Sequence, residues 1–367
     1  MPVGANMKVT QQLHDLGQRI WLDNITRELL ISGTLQRYIS EYSVTGLTSN
    51  PTIFHLALKN SGIYDDAIQT KSLAGKAAEE IFIELALEDI TQAAELFRHI
   101  HSATAGVDGW VSFEVPPSLA NDTAGTIRAA LQLHAQANRS NLLIKIPGTK
   151  AGLPSIEEAI FAGVPVNVTL LFSCEQYIAA AEAYMRGIER RIAAGRDAGV
   201  ASVASLFVSR WDVAVKDKVA DALRNRLGIA ISMRTYKAYR ELLASPRWQG
   251  LQAAGARPQR LLWASTGTKD PAAAATLYID ALAAPDTINT MPEKTLLAFA
   301  KQGEIKSVLP PDGGDAEKLL AEFSQAGVDV DGLATALQRE GTAAFARSWD
   351  ELMSLISSKV DVLSGGK

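Results

Sequence analysis

The sequence has 367 residues, of which 47% are hydrophobic and 21% are charged, a composition typical of a globular protein with a large core. The formal net charge of −4 provides no basic surface for nucleic acid or for an anionic membrane. A single cysteine, Cys174, excludes an internal disulfide and is typical of a reducing compartment. No apolar signal segment precedes Gln18, and no apolar run is long enough to span a membrane, so we expect a cytoplasmic protein.

Eight short apolar runs recur along the chain, each ending in a polar or turn residue, and we predict that each is a β-strand. They are 20–23, 44–50, 109–115, 141–146, 165–172, 203–209, 260–266 and 286–290. The segments between them, such as 77–103 and 175–194, have the periodicity of α-helices. Eight strands that alternate with helices predict parallel βαβ units, and this number favours a closed (β/α)8 TIM barrel over an open sheet.

The chain is longer than a minimal barrel of about 250 residues. The surplus predicts additional helices after Asn50, around 230–255 and in a C-terminal block at 315–363. No glycine- or serine-rich linker divides the sequence, so we predict one elaborated barrel domain over 1–367, with a helical extension at about 302–363. Only the tail SGGK, 364–367, is predicted to be disordered.

The segment NLLIKIPGT, 141–149, places Lys145 inside an apolar run that otherwise has the pattern of a buried strand. A buried ammonium group costs several kcal/mol unless it is paired or loses its proton. Lys145 therefore lies either on an exposed edge strand or beside a polar cavity inside the fold.

The alternation of side chains along a strand favours a place for Lys145 beside a polar cavity. If the bulky aliphatic residues face the helices, a set of mostly polar side chains faces the barrel interior: Trp21, Asp23, Thr48, Asn50, Ser112, Glu114, Leu143, Lys145, Asn167, Thr169, Ser205, Phe207 and Ser265. Six of them are at or near the C-terminal ends of their strands, where barrels of this kind build active sites: Asp23, Asn50, Glu114, Lys145, Thr169 and Ser265. A buried ion pair that only braces the barrel is the alternative for Lys145, but a purely structural interior would use aliphatic residues.

A lysine in a confined pocket can attack a carbonyl group and form a Schiff base once it has lost its proton. Glu114, on the neighbouring strand, is placed to supply and remove the protons that imine formation requires, and Thr169 can hold the water that is exchanged. Asp23 is then free for a second proton transfer, at a hydroxyl group or a carbon of the substrate.

Other chemistries have weaker support in the sequence. No histidine lies at a predicted strand end, so we expect no zinc site, and no nucleophile elbow, P-loop or dinucleotide-binding glycine motif is present. Cys174 has no histidine partner and is expected to be a packed thiol.

The segment ASTGTKDP, 264–271, offers hydroxyls, backbone amides and Lys269 at a strand-to-helix turn, and Arg210 ends the sixth strand, so we predict an anion-binding site there.

Five motifs in order along the chain resemble those of the transaldolase family. They are GLTSNPTIF at 46–54, VSFEV at 111–115, NLLIKIPGT at 141–149, VNVTLLFS at 166–173 and SLFVSR at 205–210. LLWASTGTKDP at 261–271 and DTINTMPE at 286–293 are similar to the longer bacterial branch. The resemblance extends from about Ile20 to Glu293.

This resemblance implies a Schiff-base enzyme of the pentose phosphate pathway that needs neither a metal nor an organic cofactor. Its substrates would be sugar phosphates: a dihydroxyacetone unit moves from sedoheptulose 7-phosphate to glyceraldehyde 3-phosphate, giving erythrose 4-phosphate and fructose 6-phosphate. Two alternatives stay open, a fructose-6-phosphate aldolase that releases free dihydroxyacetone and a catalytically silent barrel that binds sugar phosphates.

Carried over motif by motif, the resemblance makes Lys145 the imine former, with Glu114 and Thr169 on the catalytic water. Asp23 would take the proton from the C4 hydroxyl as the C3–C4 bond breaks. The remaining roles are substrate contacts: hydroxyls of the three-carbon unit for Asn50, Asn167 and Ser205, and the phosphate for Arg210 and Ser265.

Two further positions bear on the expected specificity. Shorter family members carry an arginine where this chain has Gly267, and we expect Lys269 to replace it in the phosphate site. Phe207 replaces the tyrosine of the aldolase branch, and because its ring has no proton to give, it favours transfer over hydrolysis. The C-terminal helices are expected near the barrel mouth, and the sequence does not indicate an oligomeric state.

Overall fold

The eight predicted strands form a closed parallel barrel in the computed structural model, which describes residues 8–364. Each strand pairs in parallel with the next one along the chain, and the last pairs with the first. The strands are β1 (Arg19–Asp23), β2 (Val44–Thr48), β3 (Trp110–Glu114), β4 (Leu142–Pro147), β5 (Val166–Leu171), β6 (Ser202–Phe207), β7 (Arg260–Ala264) and β8 (Ile288–Met291). The predicted TIM-barrel fold is therefore confirmed.

Helices follow the strands and form the outer layer of the barrel. Within the described residues they are α1 (Val9–Leu16), α2 (Arg27–Ile31), α3 (Thr34–Tyr42), α4 (Pro51–Asn60), α5 (Asp65–Leu73), α6 (Ala78–Ala103), α7 (Thr123–Ala137), α8 (Gly152–Ala162), α9 (Cys174–Ala193), α10 (Ser209–Val215), α11 (Leu227–Ala244), α12 (Pro246–Ala253), α13 (Leu277–Ala281), α14 (Glu293–Gln302), α15 (Ala316–Gln325) and α16 (Val330–Ser364). No helix in this part of the chain is long and apolar enough to cross a membrane.

The additional helices lie where the surplus length predicted them. They are α4 and α5 after Asn50, α11 and α12 around the predicted insertion, and α15 and α16 at the C-terminal end. The predicted disordered tail lies outside the described residues, apart from Ser364, which ends α16. The assignment of the whole chain to one domain stays a prediction.

Local sequence signals explain why helices begin directly after strand ends. Asn50 follows β2 and accepts a hydrogen bond from the backbone N–H of Ile53, while Pro51 takes the first helical position of α4. Ser173 follows β5 and caps α9 in the same way, and the side-chain oxygen of Gln176 accepts a hydrogen bond from the backbone N–H of Ser173. These caps hold the chain at the C-terminal ends of the strands, where the polar ring was predicted.

The N-terminal ends of the strands are tied together by a buried carboxylate. Asp108, in the loop before β3, accepts hydrogen bonds from Arg19 Nε at 2.7 Å and from an Arg260 terminal nitrogen at 2.9 Å. Arg19 begins β1 and Arg260 begins β7, so one side chain links three parts of the barrel rim. This cluster lies at the end opposite the predicted site and therefore has a structural role in the fold.

A large ring packs against the backbone of the neighbouring strand in the core of the barrel. Gly46, on β2, leaves the space that the Trp21 indole occupies, since a Cβ atom at Gly46 would lie 2.5 Å from that ring. Trp21 is fully buried, so its indole depends on the missing side chain at Gly46 for its place in the core.

Another buried carboxylate joins three helices on the outer layer. Asp212, on α10, accepts hydrogen bonds from the backbone N–H groups of Leu227 and Gly228 at the start of α11, at 2.9 and 3.4 Å. Tyr278 Oη, on α13, donates to the other oxygen at 2.7 Å. Burial raises the pKa of Asp212 to about 6 in spite of these hydrogen bonds, which favour the charged form.

We predict that Asp212 makes the stability of the fold depend on pH. Because the folded state keeps the proton to a higher pH than the unfolded chain, the contribution is complete below about pH 4 and is lost as pH rises through about 6. The free energy of unfolding of the wild type minus that of Asp212→Asn should fall by roughly 3 kcal/mol between pH 4 and pH 8. Urea titrations at both pH values measure it. Asp217→Asn, at an exposed neighbouring position, is the control, and a pH-independent difference for Asp212→Asn would contradict the prediction.

Candidate active site

The C-terminal ends of the strands surround a cavity of about 430 Å³. Nine of the eleven predicted site residues line it: Asp23, Asn50, Lys145, Thr169, Ser205, Phe207, Arg210, Ser265 and Lys269. The cavity therefore contains most of the polar ring that strand alternation predicted, together with the predicted anion-binding residues.

Lys145, which lines this cavity, forms a buried ion pair with Glu114. They are adjacent across β3 and β4, and their side chains are 7% and 8% exposed. Lys145 Nζ donates to Glu114 Oε1 and, at 2.7 Å, to the backbone carbonyl of Ser49. Burial raises the pKa of Glu114, while the positive charge of Lys145 opposes that shift. Lys145 is therefore paired with a buried carboxylate and also lines a polar cavity.

Glu114 and Thr169 each keep one polar atom free for a further partner. Glu114 Oε2 and Thr169 Oγ1 are buried and have no hydrogen-bond partner among the described residues. Both residues, with Lys145, border a second space of about 10 Å³, which adjoins the main cavity. Buried polar atoms without a protein partner are the atoms that bind a water molecule or a ligand.

Asp23 lies across the cavity from this pair. Thr48 Oγ1 donates to Asp23 Oδ1 at 2.8 Å, and the hydroxyls of Thr48 and Thr290 are 2.6 Å apart. Since Thr48 gives its proton to Asp23, Thr290 is the donor in the second contact. Desolvation raises the pKa of Asp23, and the charges of Lys145 and Lys269 partly offset it. Lys145 therefore lies near two carboxylates, Asp23 in the main cavity and Glu114 beside the small space, and burial raises the pKa of both carboxylates.

Two backbone outliers are found beside the site. Leu170 has a φ of 61° directly after Thr169, and the pairing register of β5 with β6 shifts between Val168 and Leu171. Ser265 has a φ of 55°, and its hydroxyl lies 2.9 Å from that of Ser209. Positive φ is costly for a bulky residue such as leucine, and such strain is concentrated at functional sites.

Asn167 is brought into the barrel but does not reach the cavity wall. Its Nδ2 donates to Ser112 Oγ at 3.1 Å, and its Oδ1 accepts from Ser205 Oγ at 2.7 Å. Asn167 is fully buried, and both ends of its amide are hydrogen-bonded, one to a serine of β3 and the other to a serine of β6. Ser205 is the member of this group that lines the cavity.

Two cationic side chains lie on one side of the cavity. Arg210 belongs to the first turn of α10, and Lys269 lies in the loop after β7. Neither has a carboxylate within 4 Å in the described part of the chain. With Ser265, they give this part of the cavity wall two cationic groups and a hydroxyl, the kinds of group that bind anions in proteins.

Several lining residues were missed by the strand analysis. They are Thr52, Ile53, Leu56, Gly267, Thr290, Pro292 and Phe345. Thr290 alternates with Asn289 in a predicted strand and could have been found from parity. Phe345 could not, because it lies on α16, and no sequence pattern relates that helix to the strand ends.

We predict that Lys145→Met lowers the free energy of unfolding by about 3–5 kcal/mol at pH 8, since it leaves Glu114 as an uncompensated buried charge. The loss should shrink as pH falls, because without Lys145 the pKa of Glu114 rises further and the carboxylate takes up a proton. The double variant Lys145→Met/Glu114→Gln should recover most of the stability in urea titrations. Lys71→Met, which breaks pairs with the more exposed Glu84 and Glu88, is the control. Equal losses in the single and double variants would disprove the coupling.

Comparison with known proteins identifies the family to which this site belongs. The sequence model of the family Transaldolase/Fructose-6-phosphate aldolase matches residues 20–356. A protein named Transaldolase from Saccharopolyspora erythraea is 42% identical over 368 residues, covering 98% of this chain and 99% of the relative. Transaldolase from Thermobifida fusca is 43% identical, covering 95% and 98%, and Transaldolase 2 from Nostoc sp. is 38% identical, covering 96% and 98%. The chain therefore belongs to the transaldolase/fructose-6-phosphate aldolase family.

Proposed function

We propose that this protein is a transaldolase of the pentose phosphate pathway that acts in the cytoplasm. It transfers a dihydroxyacetone unit from sedoheptulose 7-phosphate to glyceraldehyde 3-phosphate, which gives erythrose 4-phosphate and fructose 6-phosphate. The observation that carries the proposal is the buried ion pair of Glu114 with Lys145, whose side chain lines a cavity together with Asp23 and Thr169. The names of the similar proteins agree with it.

The first stage is formation of a Schiff base between Lys145 and the ketose. Glu114 accepts the proton of the Lys145 ammonium, and the free amine then attacks the C2 carbonyl. The resulting carbinolamine takes a proton from Glu114 and loses water, which leaves a protonated imine (an iminium) and returns Glu114 to its carboxylate form. Thr169 Oγ1 and Glu114 Oε2, which have no hydrogen-bond partner among residues 8–364, hold that water. The raised pKa of Glu114 suits it to exchange protons in both directions.

The second stage is cleavage of the C3–C4 bond. Asp23 removes the proton from the C4 hydroxyl, the C4 oxygen forms a carbonyl, and the bonding electrons pass into the iminium to give an enamine on Lys145. Desolvation raises the pKa of Asp23 and thus makes its carboxylate a stronger base. The aldose phosphate leaves, the enamine attacks the aldehyde of the acceptor, and hydrolysis of the new imine releases the product. The chain's own residues perform every step, so we propose no metal and no organic cofactor.

Substrate contacts follow from the cavity wall. Arg210, Ser265 and Lys269 bind the phosphate, with Lys269 in place of the arginine that position 267 lacks. Asn50 uses its carbonyl oxygen to cap α4, and its amide N–H groups bind a substrate hydroxyl. Ser205 binds another hydroxyl, and Asn167 acts through Ser205, which donates to it.

Phe207 favours transfer over the aldolase alternative. Its ring lines the cavity and packs against Phe172, with the ring centroids 5.3 Å apart. An apolar ring beside the enamine supplies no proton, and protonation of the enamine is what releases free dihydroxyacetone. A silent sugar-phosphate-binding barrel would not need the four residues Lys145, Glu114, Asp23 and Thr169 together.

An assay of the purified protein with fructose 6-phosphate tests this function and separates the three candidates. Glyceraldehyde 3-phosphate and dihydroxyacetone are measured with and without erythrose 4-phosphate. A transaldolase forms glyceraldehyde 3-phosphate only when erythrose 4-phosphate is present, and it releases little dihydroxyacetone. Equal release of both products without an acceptor would make aldolase the correct name, and no turnover in either case would support the silent barrel.

Borohydride trapping separates the roles of the two carboxylates. We predict that fructose 6-phosphate fixes an adduct on the peptide containing Lys145, and that Lys145→Met, the control, gives none. Glu114→Gln should slow adduct formation about 100-fold, because an amide cannot shuttle protons. Asp23→Asn keeps an acceptor for the Thr48 hydrogen bond and should form the imine but stall before cleavage, so mass spectrometry should find an adduct of six carbons rather than three. Equally slow trapping in both variants would disprove this division.

A further inference from the structure

One face of α16 is turned toward the barrel mouth. Gln338, Gly341, Thr342 and Phe345 follow a three- and four-residue spacing and so share that face. Gln338 Nε2 donates to the backbone carbonyl of Gly148 at 3.1 Å and to that of Leu170 at 3.0 Å. These carbonyls follow Lys145 and Thr169 closely in sequence, so α16 is anchored directly to the ends of β4 and β5.

Close packing at Gly341 fixes the distance between the helix and the strand ends. A Cβ atom at Gly341 would lie 3.1 Å from Leu170 Cδ2 and 3.4 Å from Phe172 Cζ. The helix therefore sits as near to β5 as a residue without a side chain permits. With the helix in this position, Phe345 projects one turn further along, over the site.

Phe345 borders both the main cavity and the small space under the helix, and Lys145 lines both as well. It lines the main cavity with Lys145, Thr169 and Phe207, and it also borders the adjoining space beside Glu114. That space has a volume of about 10 Å³, which is close to the size of one water molecule. The Phe345 and Phe207 rings have centroids 6.5 Å apart, so two apolar rings flank the same part of the cavity.

We propose that Phe345 is a specificity-determining residue that suppresses hydrolysis of the enamine. This inference depends on the proposed function. Transfer joins C3 of the enamine to the acceptor aldehyde, whereas hydrolysis adds a solvent proton to C3, after which one water adds to C2 and the C–N bond to Lys145 breaks. Both routes consume the single water held by Glu114 and Thr169, and they differ in the protonation of C3. Phe345 keeps a second water away from that carbon, and therefore transfer prevails.

The ratio of dihydroxyacetone released to sedoheptulose 7-phosphate formed tests the proposal, with fructose 6-phosphate and erythrose 4-phosphate as substrates. Only folded, active protein forms either product, so the ratio does not depend on the fraction of the protein that is folded. Phe345→Ala opens the wall to water and should raise it roughly tenfold, the lower end of what an apolar contact contributes to discrimination. Phe345→Leu keeps an apolar side chain and should remain within about twofold of the wild type. If Phe345→Ala does not fold, Phe345→Val serves in its place with a smaller expected rise.

Phe323→Leu is the matched control, because it shortens a buried phenylalanine of α15 in the same C-terminal block. It should lower stability without changing the ratio. An unchanged ratio in Phe345→Ala, or an equal rise in Phe323→Leu, would overturn the role of Phe345 while leaving the proposed function in place. A wild type that neither transfers nor forms an adduct on Lys145 would overturn the proposed function itself.

Discussion

The ion pair between Lys145 and Glu114 is buried away from water, and the other features of the site depend on this burial. Removing two charges from water is expensive, and mutual attraction compensates only when the geometry is good and other hydrogen bonds satisfy the remaining protons. The carbonyl of Ser49 gives Lys145 a second acceptor, and adjacency on β3 and β4 fixes the separation of the two side chains. A parallel barrel provides this arrangement because neighbouring strands end at the same level and present their side chains to one interior.

Burial away from water also sets the pKa values of the two carboxylates. Asp23 and Glu114 both have their pKa raised by burial, and the nearby ammonium opposes both shifts. When cleavage converts the iminium on Lys145 to a neutral enamine, this opposition weakens and the two carboxylates become better bases. The charge state of Lys145 thus links the stage of the reaction to the basicity of the groups that perform it.

Strand alternation predicted which side chains gather at the C-terminal ends of the strands, because each of them is close in sequence to a strand end. Asp23, Glu114, Lys145 and Thr169 follow directly from the position of each strand and the parity of its residues. Asn167 was correctly assigned to the barrel interior, but the parity of a residue does not show how far below the cavity it lies. The amide of Asn167 is hydrogen-bonded to Ser112 and Ser205. The positive φ of Leu170 was also outside prediction, since leucine carries no signal for that conformation.

Phe345 shows the other limit of sequence reasoning. Helical periodicity shows that α16 has an apolar face, but not which part of the barrel that face covers. The answer depends on contacts between Gln338 and carbonyls far away in the chain, which no local pattern encodes. The motifs that resemble the family end near residue 293, whereas the family match extends to residue 356.

The hydrogen bond from Gln338 to Gly148 joins positions 190 residues apart and has a consequence for synthesis of the chain on the ribosome. The last barrel strand ends at Met291, and α16 begins only at Val330. At about 5–20 residues per second, the ribosome needs several seconds to add the segment that carries Phe345 after the last strand is made. During that interval a barrel can close around Lys145 without its apolar cover. The order of synthesis therefore lets the strands that hold Lys145 pair before the helix that carries Phe345 is made.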